Sequence, residues 1–313
     1  MLTRRHIRIK VMQSAYSFSH KENSKLQDEL VFFETSVSQA YNLHLSLLAL
    51  MKSLVDFTLD QITTHAKLRS VEAKSHHLEL LTKNRVLCMI HKHPILEKKL
   101  QTKKFIKWDL EFVFLKDLMR KITSDTFYKA YEQIENPTWE DDVKWFSKCF
   151  KNHIASSDYL YEYLEDQQIT WIDDLPLVNT FLSKSFKQLE EGKFESLPFP
   201  EFEKHHEDFV FGRELLEKTI ANDLQLQHEL EGKTPNWDPE RIAQIDKVIL
   251  KIAIAELLYF PSIPSKVTLN EYLEIAKDYS TPNSNNFVNG VLDKLVKEFE
   301  QEKRMNKTGR GLL

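Results

Sequence analysis

Residues 265–299, SKVTLNEYLEIAKDYSTPNSNNFVNGVLDKLVKEF, constrain the fold more than any other stretch of the chain. Apolar side chains recur there at helical spacing in two runs, one on each side of a short polar loop. In the first run Leu269, Tyr272, Leu273 and Ala276 share a face; in the second, Phe287, Val288, Val291, Leu292, Leu295 and Phe299 do. Thr268 and Glu271 spell a T-x-x-E capping box, with Val267 and Tyr272 placed as the flanking hydrophobic staple. The loop Ser280-Thr281-Pro282-Asn283-Ser284 stops the first helix, because proline and short polar side chains favour turns and caps. Gly290 stands inside the second helix, where glycine costs up to about 1 kcal/mol against alanine. A close helix contact at Gly290 is the expected reason.

The same periodicity dominates elsewhere, so the fold class is all-α. Only 6 Gly and 10 Pro in 313 residues argue against a sheet protein full of tight turns. A hydrophobic share of 42 % with 20 Phe supplies a packed core. Two cysteines, Cys88 and Cys149, cannot build a disulfide framework and suit a reducing cytoplasm. The start MLTRRHIRIKVMQ lacks the apolar core of a signal peptide. The most apolar window, residues 43–57, is interrupted by His44, Lys52 and Asp56 and reads as a buried helix, not a membrane span.

In chain order, residues 3–18 read as a first helix, with Ile7, Val11, Ala15 and Phe18 on one face and Arg4, Arg5 and Arg8 off it. A long helix follows from about residue 24 to 62, opened by Ser24 and Gln27 as a second capping box. Beyond a polar segment at 63–77, helical stretches are expected near 78–91, 95–134 and 139–165. His93-Pro94, Asn136-Pro137 and Asp173-Asp174-Leu175-Pro176 punctuate them. Residues 190–208 are the best linker. Trp237-Asp238-Pro239 starts a further helix, with Asp238 as N-cap and Pro239 at the first helical position. A faint internal echo at an offset of 65 to 66 residues pairs Asp158 with Asp223 and Trp171 with Trp237, as if a helical hairpin were repeated.

The formal charge of −4 hides basic ends: Arg4, Arg5, Arg8 and Lys10 at the start, and Lys303, Arg304, Lys307 and Arg310 at the finish. Near-neutral overall, such a chain can touch a polyanion locally. On a helix Arg4 and Arg8 lie one turn apart with Arg5 beside them, forming a phosphate-binding face near a helix N-terminus. Tyr16 is placed to stack on an unpaired base. From the residues alone, solvated arginines and a core Tyr16 are the plainer reading, and the C-terminal residues read as a frayed end. Ser284, Asn285, Asn286 and Asn289 form a second polar set able to read base edges or bind phosphates, or to cap a helix. Cys88, His91 and His93, and the pairs His76-His77 and His205-His206, match no zinc-ligand spacing. Phosphate loops, dinucleotide fingerprints and hydrolase signatures are missing from the sequence, so no enzyme, cofactor or metal is expected.

RIAQIDKVILKIAIAEL (241–257), then KVTLNEYLEIAKDYS, then FVNGVLDKLV resembles the C-terminal half of the NusB family of bacterial transcription antitermination factors. RRHIRIKVMQSAYSF, with Gln13 and Tyr16 at matching spacing, resembles the arginine-rich first helix of that family. The resemblance covers roughly residues 1–20 and 209–300. It implies NusB-like helical bundles enlarged by an inserted helical region at 25–205; residues 301–313 are expected as a flexible basic tail. It further implies binding of boxA-like RNA through Arg4, Arg5, Arg8, Gln13 and Tyr16, with Ser284, Asn285, Asn286 and Asn289 as a second RNA-facing set. Asn285 and Asn286 stand where the family often carries a positive charge, which bears on affinity rather than fold. The ribosomal protein NusE would be contacted through Asp246 and Glu271, within the RNA polymerase antitermination complex in the cytoplasm. Two other readings stay open: a scaffold of NusB fold with lost or weakened RNA binding, and the RNA-binding domain of a ribosomal RNA methyltransferase, whose catalytic part would need a separate chain.

Overall fold

The structure, a computed structural model, describes residues 1–67, 72–102, 106–233 and 242–308; these form helices, with no strand among the described residues. The chain is all-α. The helices are α1 (Arg4–His20), α2 (Leu26–Lys67), α3 (Glu72–Lys83), α4 (Arg85–His91), α5 (Pro94–Thr102), α6 (Phe112–Ser124), α7 (Thr126–Glu132), α8 (Trp139–Cys149), α9 (Asp158–Gln167), α10 (Trp171–Phe186), α11 (Glu207–Ala221), α12 (Asp223–Leu230), α13 (Gln244–Tyr259), α14 (Ser265–Tyr279) and α15 (Ser284–Gln301). They fall into two compact units: Ser38–Phe202, and Leu2–Val37 together with the chain from Glu203 onward.

The second unit is organised on α13, which is buried from Val248 to Leu257 except at Lys251. Helices α1, α11, α12, α14 and α15 all pack on it. Helix α1 lies on α11, and Gly212 of α11 is what lets them meet: a methyl group there would overlap Ile7 of α1 and the ring of Phe33 in α2. Phe33 also stacks on Phe209 at 5.5 Å. These contacts explain why the first three turns of α2, through Val37, belong with this unit, whereas the sequence placed them in the insertion. The α15 face is as expected, with Phe287, Val288, Val291, Leu292, Leu295 and Phe299 all buried. Gly290 is different. Nothing lies within 4 Å of where its Cβ would stand, so among the described residues no helix contact accounts for it.

The other unit carries an aromatic core. Phe146, Phe150 and Phe186 meet edge to face, and Trp145 stacks on Tyr131. Indole N–H groups of Trp108 and Trp171 donate to the carbonyls of Ser46 and Gln39 at 2.8 Å, which satisfies the polar edge of each buried ring. The apolar window at 43–57 is buried here as the middle of α2. No helix of the described residues is long and apolar enough to cross a membrane.

Several local expectations fail for identifiable reasons. Ser24 does not cap α2; its hydroxyl donates to buried Glu29, which also takes Lys21. Asp173-Asp174-Leu175-Pro176 does not break the chain but lies in the first turns of α10, where the acids suit the helix dipole and a proline removes few backbone bonds. The segment at 190–208 is only partly a linker: Leu197 is buried and Phe199 packs against the aromatic core, and the unit boundary falls after Phe202. The basic tail is not frayed through Thr308. Lys303 turns the chain at φ 55°, Arg304 takes Glu229 at 3.0 and 2.5 Å, and Thr308 N–H donates to Pro261 at 3.0 Å. Asp158 and Asp223, paired by the internal echo, are the first residues of α9 and α12. Before α9, however, the chain passes through a π-helix at Phe150–Ala155 that α11 lacks. Trp237, Asp238 and Pro239 lie outside the described residues.

Candidate nucleic-acid interface

Two carboxylates on α13, ten residues apart, hold the helices that carry the candidate residues. Glu256 sits alone in the apolar run VILKIAIAELL and is fully buried. It accepts bidentate bonds from Arg8 of α1 at 2.8 Å each, from the Thr268 hydroxyl at 2.8 Å and from the Tyr272 hydroxyl at 3.0 Å. A buried ion pair repays its desolvation only when geometry is good and the remaining polar atoms are bonded; this one meets both conditions. Burial works against the Arg8 charge, but the bonds and charge of Glu256 outweigh it and raise the guanidinium pKa. Arg8 also lies 5.2 Å from the Phe211 ring centroid. With its side chain 3 % exposed, Arg8 is a core group, not part of a phosphate-binding face. The same cluster overturns the capping box. Thr268 lies within α14, one turn past its Pro264 N-cap, and spends its hydroxyl on Glu256. Val267, expected as half of the staple, faces solvent.

The other carboxylate, Asp246, anchors the start of α15. Its Oδ2 accepts from the Ser284 hydroxyl at 2.7 Å, and Ser284 in turn meets Ser280 and Thr281. Both Asp246 and Ser284 are buried. Asp246 is therefore withdrawn from a partner surface and Ser284 from an RNA surface; they serve each other.

The surface residues are those that remain. Arg4 bonds Asp208 at 2.7 Å and Glu207 at 3.3 Å. Arg5 bonds Glu271 at 3.0 and 2.9 Å through Nε and Nη2, leaving Nη1 free of that pairing. The bond from Arg5 holds the Glu271 carboxyl below its ordinary value, with Arg8 adding to the effect. Both arginines, about two-fifths exposed, line a groove of about 700 Å³ walled by Ile263, Pro264 and Glu271. Burial and the nearby Lys10 and Arg5 lower the pKa of His6, in keeping with its acceptor role toward Thr3 N–H at the α1 N-cap. In the middle of α1 every residue from Ile7 to Ala15 is buried except Ile9 and Gln13. Arg5, Ile9, Gln13 and Tyr16 thus form one stripe on the outer side of α1, three turns and roughly 16 Å long, in which Tyr16 is exposed, the other three are half-buried and the Gln13 Oε1 is shielded from solvent. Tyr16 leans on His20 at 4.1 Å. On α15, Asn286 and Gly290 are exposed, and Asn285 and Asn289 half-buried; Asn289 reaches Asp293 at 3.4 Å.

Sequence reasoning missed the partners of the arginines: Glu207, Asp208 and the network on Glu256. For Glu256 the signal was present, since a single acid in a long apolar helical run is almost never buried unpaired. Among the described residues no group of three or more His, Cys, Asp or Glu converges on a metal site. Cys88, His91 and His93 go separate ways, to Thr82, Asp56 and Phe194.

The family model described as the NusB family matches residues 179–297, from inside α10 to near the end of α15. The transcription antitermination protein NusB of Salinibacter ruber is 43 % identical over 103 residues, 33 % of this chain and 64 % of its own. That of Chloroherpeton thalassium is 42 % identical over 106 residues, 34 % of this chain and 49 % of its own. That of Geotalea uraniireducens is 38 % identical over 97 residues, 31 % of this chain and 67 % of its own. The chain thus spans about half to two thirds of the length of these relatives. No solved structure matches.

Proposed function

The chain belongs to the NusB family, and we propose that it is a bacterial transcription antitermination factor that binds boxA-like single-stranded RNA together with the ribosomal protein NusE. It would act in the cytoplasm within the RNA polymerase antitermination complex. The observation that carries this reading is the outer stripe of α1. Arg5, oriented by Glu271 but keeping spare N–H donors, stands in line with Gln13 and Tyr16, so a charge, an amide and an aromatic ring follow one another along one surface. Single-stranded RNA is recognised by that combination of phosphate contact, base-edge hydrogen bonding and stacking. Asn286 and Asn289 supply further polar contacts, and Glu271 a contact for NusE. No bond is made or broken in this role; the protein presents a surface that a partner completes.

One observation favours a rival. Arg4, Arg5 and Arg8 face four carboxylates, Glu207, Asp208, Glu256 and Glu271, so this end of α1 is not a free positive patch. A protein-binding scaffold that has lost RNA would look the same. Titration of boxA-like RNA against wild type and an Arg4→Ala/Arg5→Ala variant, with and without NusE from the same organism, separates the two. The antitermination reading expects NusE to tighten RNA binding and the variant to abolish it; NusE binding with no RNA binding in either protein establishes the scaffold.

A further inference from the structure

A second basic surface lies in the Ser38–Phe202 unit, and its charges are in a different state from those of α1. Lys144, Lys148 and Lys151 follow one another at one-turn spacing along α8 and into the π-helix that continues it. Lys187, at the end of α10, joins them on the wall of one groove of about 610 Å³. All four are exposed, and among the described residues none is in an ion pair. Most neighbouring acids are bonded elsewhere: Asp142 and Glu191 to Arg85 and Glu190 to Lys193; Asp141 is bonded to the N-cap Thr138 while its charge also feels Lys144. Glu140 is the one carboxylate in the lining.

The groove is more than a charge cluster. Trp139 lines it with its ring fixed, the indole N–H donating to Leu189 at 3.2 Å and the Arg85 guanidinium 5.9 Å from its centroid. Ser147, also in the lining, has a hydroxyl with no hydrogen-bond partner, and a shielded unpartnered polar atom calls for a ligand or water. A volume in the range of about 300–1,000 Å³ suits a bound organic group. A row of regularly spaced cations beside an anchored aromatic ring matches a polymer of regularly spaced phosphates and stackable bases better than a single small anion.

We propose that this groove is a second binding site for single-stranded RNA, built by Lys144, Lys148, Lys151, Lys187, Trp139 and Ser147. On a chain whose overall charge is −4, four lysines set against one lining carboxylate, Glu140, focus a polyanion onto one place. The choice of RNA as the polymer rests on the reading proposed above; the site itself does not involve α1 or α15.

The test uses the full chain and a fluorescein-labelled, mixed-sequence single-stranded RNA. Wild type is compared with K144Q/K148Q/K151Q/K187Q and, in parallel, with the Arg4→Ala/Arg5→Ala variant, melting temperature checking that each is folded. Four phosphate contacts at about 0.7 each predict that the lysine variant lowers the slope of log K against log salt by about 3, with affinity at low salt falling at least tenfold. Photocrosslinking of a 4-thiouridine-substituted RNA should label residues 139–151 of wild type but not of the lysine variant. Unchanged slope and affinity in the lysine variant, or crosslinks that avoid 139–151 in wild type, would overturn the proposal. Lysine-dependent binding of polyglutamate without binding of RNA also overturns it, in favour of an acidic protein partner. RNA binding lost only with Arg4 and Arg5 removes the lysine site and leaves the α1 reading standing; binding lost only with the lysines does the reverse.

Discussion

Helix α1 and helix α8 both carry cationic side chains at one-turn spacing, yet they use them in opposite ways. On α1 each arginine is met by a carboxylate distant in sequence, and Arg8 is taken into the core by Glu256. On α8 the lysines stay exposed and outside any ion pair, Lys148 resting 3.8 Å from the Phe127 ring centroid, while most of the surrounding acids are bonded to other groups. Charge counted along a sequence is therefore not charge presented at a surface. Arginine suits the first use, since its planar fork matches a carboxylate bidentately; lysine, a strongly hydrated point charge, suits the second.

The contrast is sharpest in stability. Glu256→Ala leaves Arg8 buried without its partner and frees the hydroxyls of Thr268 and Tyr272, a loss of about 3–5 kcal/mol for a broken buried pair. Lys148→Gln should change stability by no more than about 0.5 kcal/mol, as for other surface substitutions. Denaturant unfolding of the two variants beside wild type measures both, and equal stabilities would erase the distinction.

Buried polar groups differ between the units as well. His44 is fully buried against Phe181 and Phe199, and neither ring nitrogen has a partner. Burial pushes its pKa from 6.5 down to about 3. The unfolded chain then takes up a proton as pH falls below 6.5 while the folded state resists until about 3, so stability declines across that window as the solution is acidified. His44→Leu should remove that part of the acid dependence and, by eliminating unpaired polar atoms, raise stability at neutral pH by about 1–3 kcal/mol. Thermal melts from pH 7 to 4 would read both; parallel curves for variant and wild type would contradict it.

The two glycines within helices make a smaller comparison. Gly212→Ala drives a methyl into Ile7 and Phe33 and should cost about 1–3 kcal/mol by overpacking. Gly290→Ala meets open space and should gain up to about 1 kcal/mol of helix propensity. The smallest effect belongs to Arg5 and Glu271. Because Arg5 is two-fifths exposed, removing the pair should cost only about 0–1 kcal/mol. The depressed Glu271 carboxyl keeps that contribution above its ordinary value of 4.5 and loses it as pH falls through the lower folded value; Glu271→Gln should flatten that step in pH-dependent melts.

How much of this was legible follows from the range of each interaction. The α15 face could be read residue by residue, because helical periodicity is local and all six apolar positions obey it. The capping box at Thr268 and Glu271 had the right letters, but the helix begins a turn earlier, after Pro264, so Thr268 is not at the N-cap and its hydroxyl donates to Glu256, twelve residues earlier, instead. Arg8 was misplaced because its partner lies 248 residues away. The spacing of Lys144, Lys148 and Lys151 was visible in the sequence; that the nearby acids are engaged, and that Lys187 joins the row, required the fold. Gly290 was expected at a helix contact, yet among the described residues nothing lies within 4 Å of where its Cβ would stand, because a glycine in a helical pattern marks a missing side chain and not a neighbour.

On α1, Arg8 holds the fold, and the proposed RNA contact falls to Arg5. Arg5→Ala and Arg8→Ala, each melted and each titrated with boxA-like RNA in the presence of NusE, test it most directly. Arg5→Ala is expected to melt close to wild type and to bind RNA far more weakly, while Arg8→Ala is expected to melt at a much lower temperature. An Arg8→Ala protein that melts like wild type yet fails to bind RNA, beside an Arg5→Ala protein that binds normally, would contradict it.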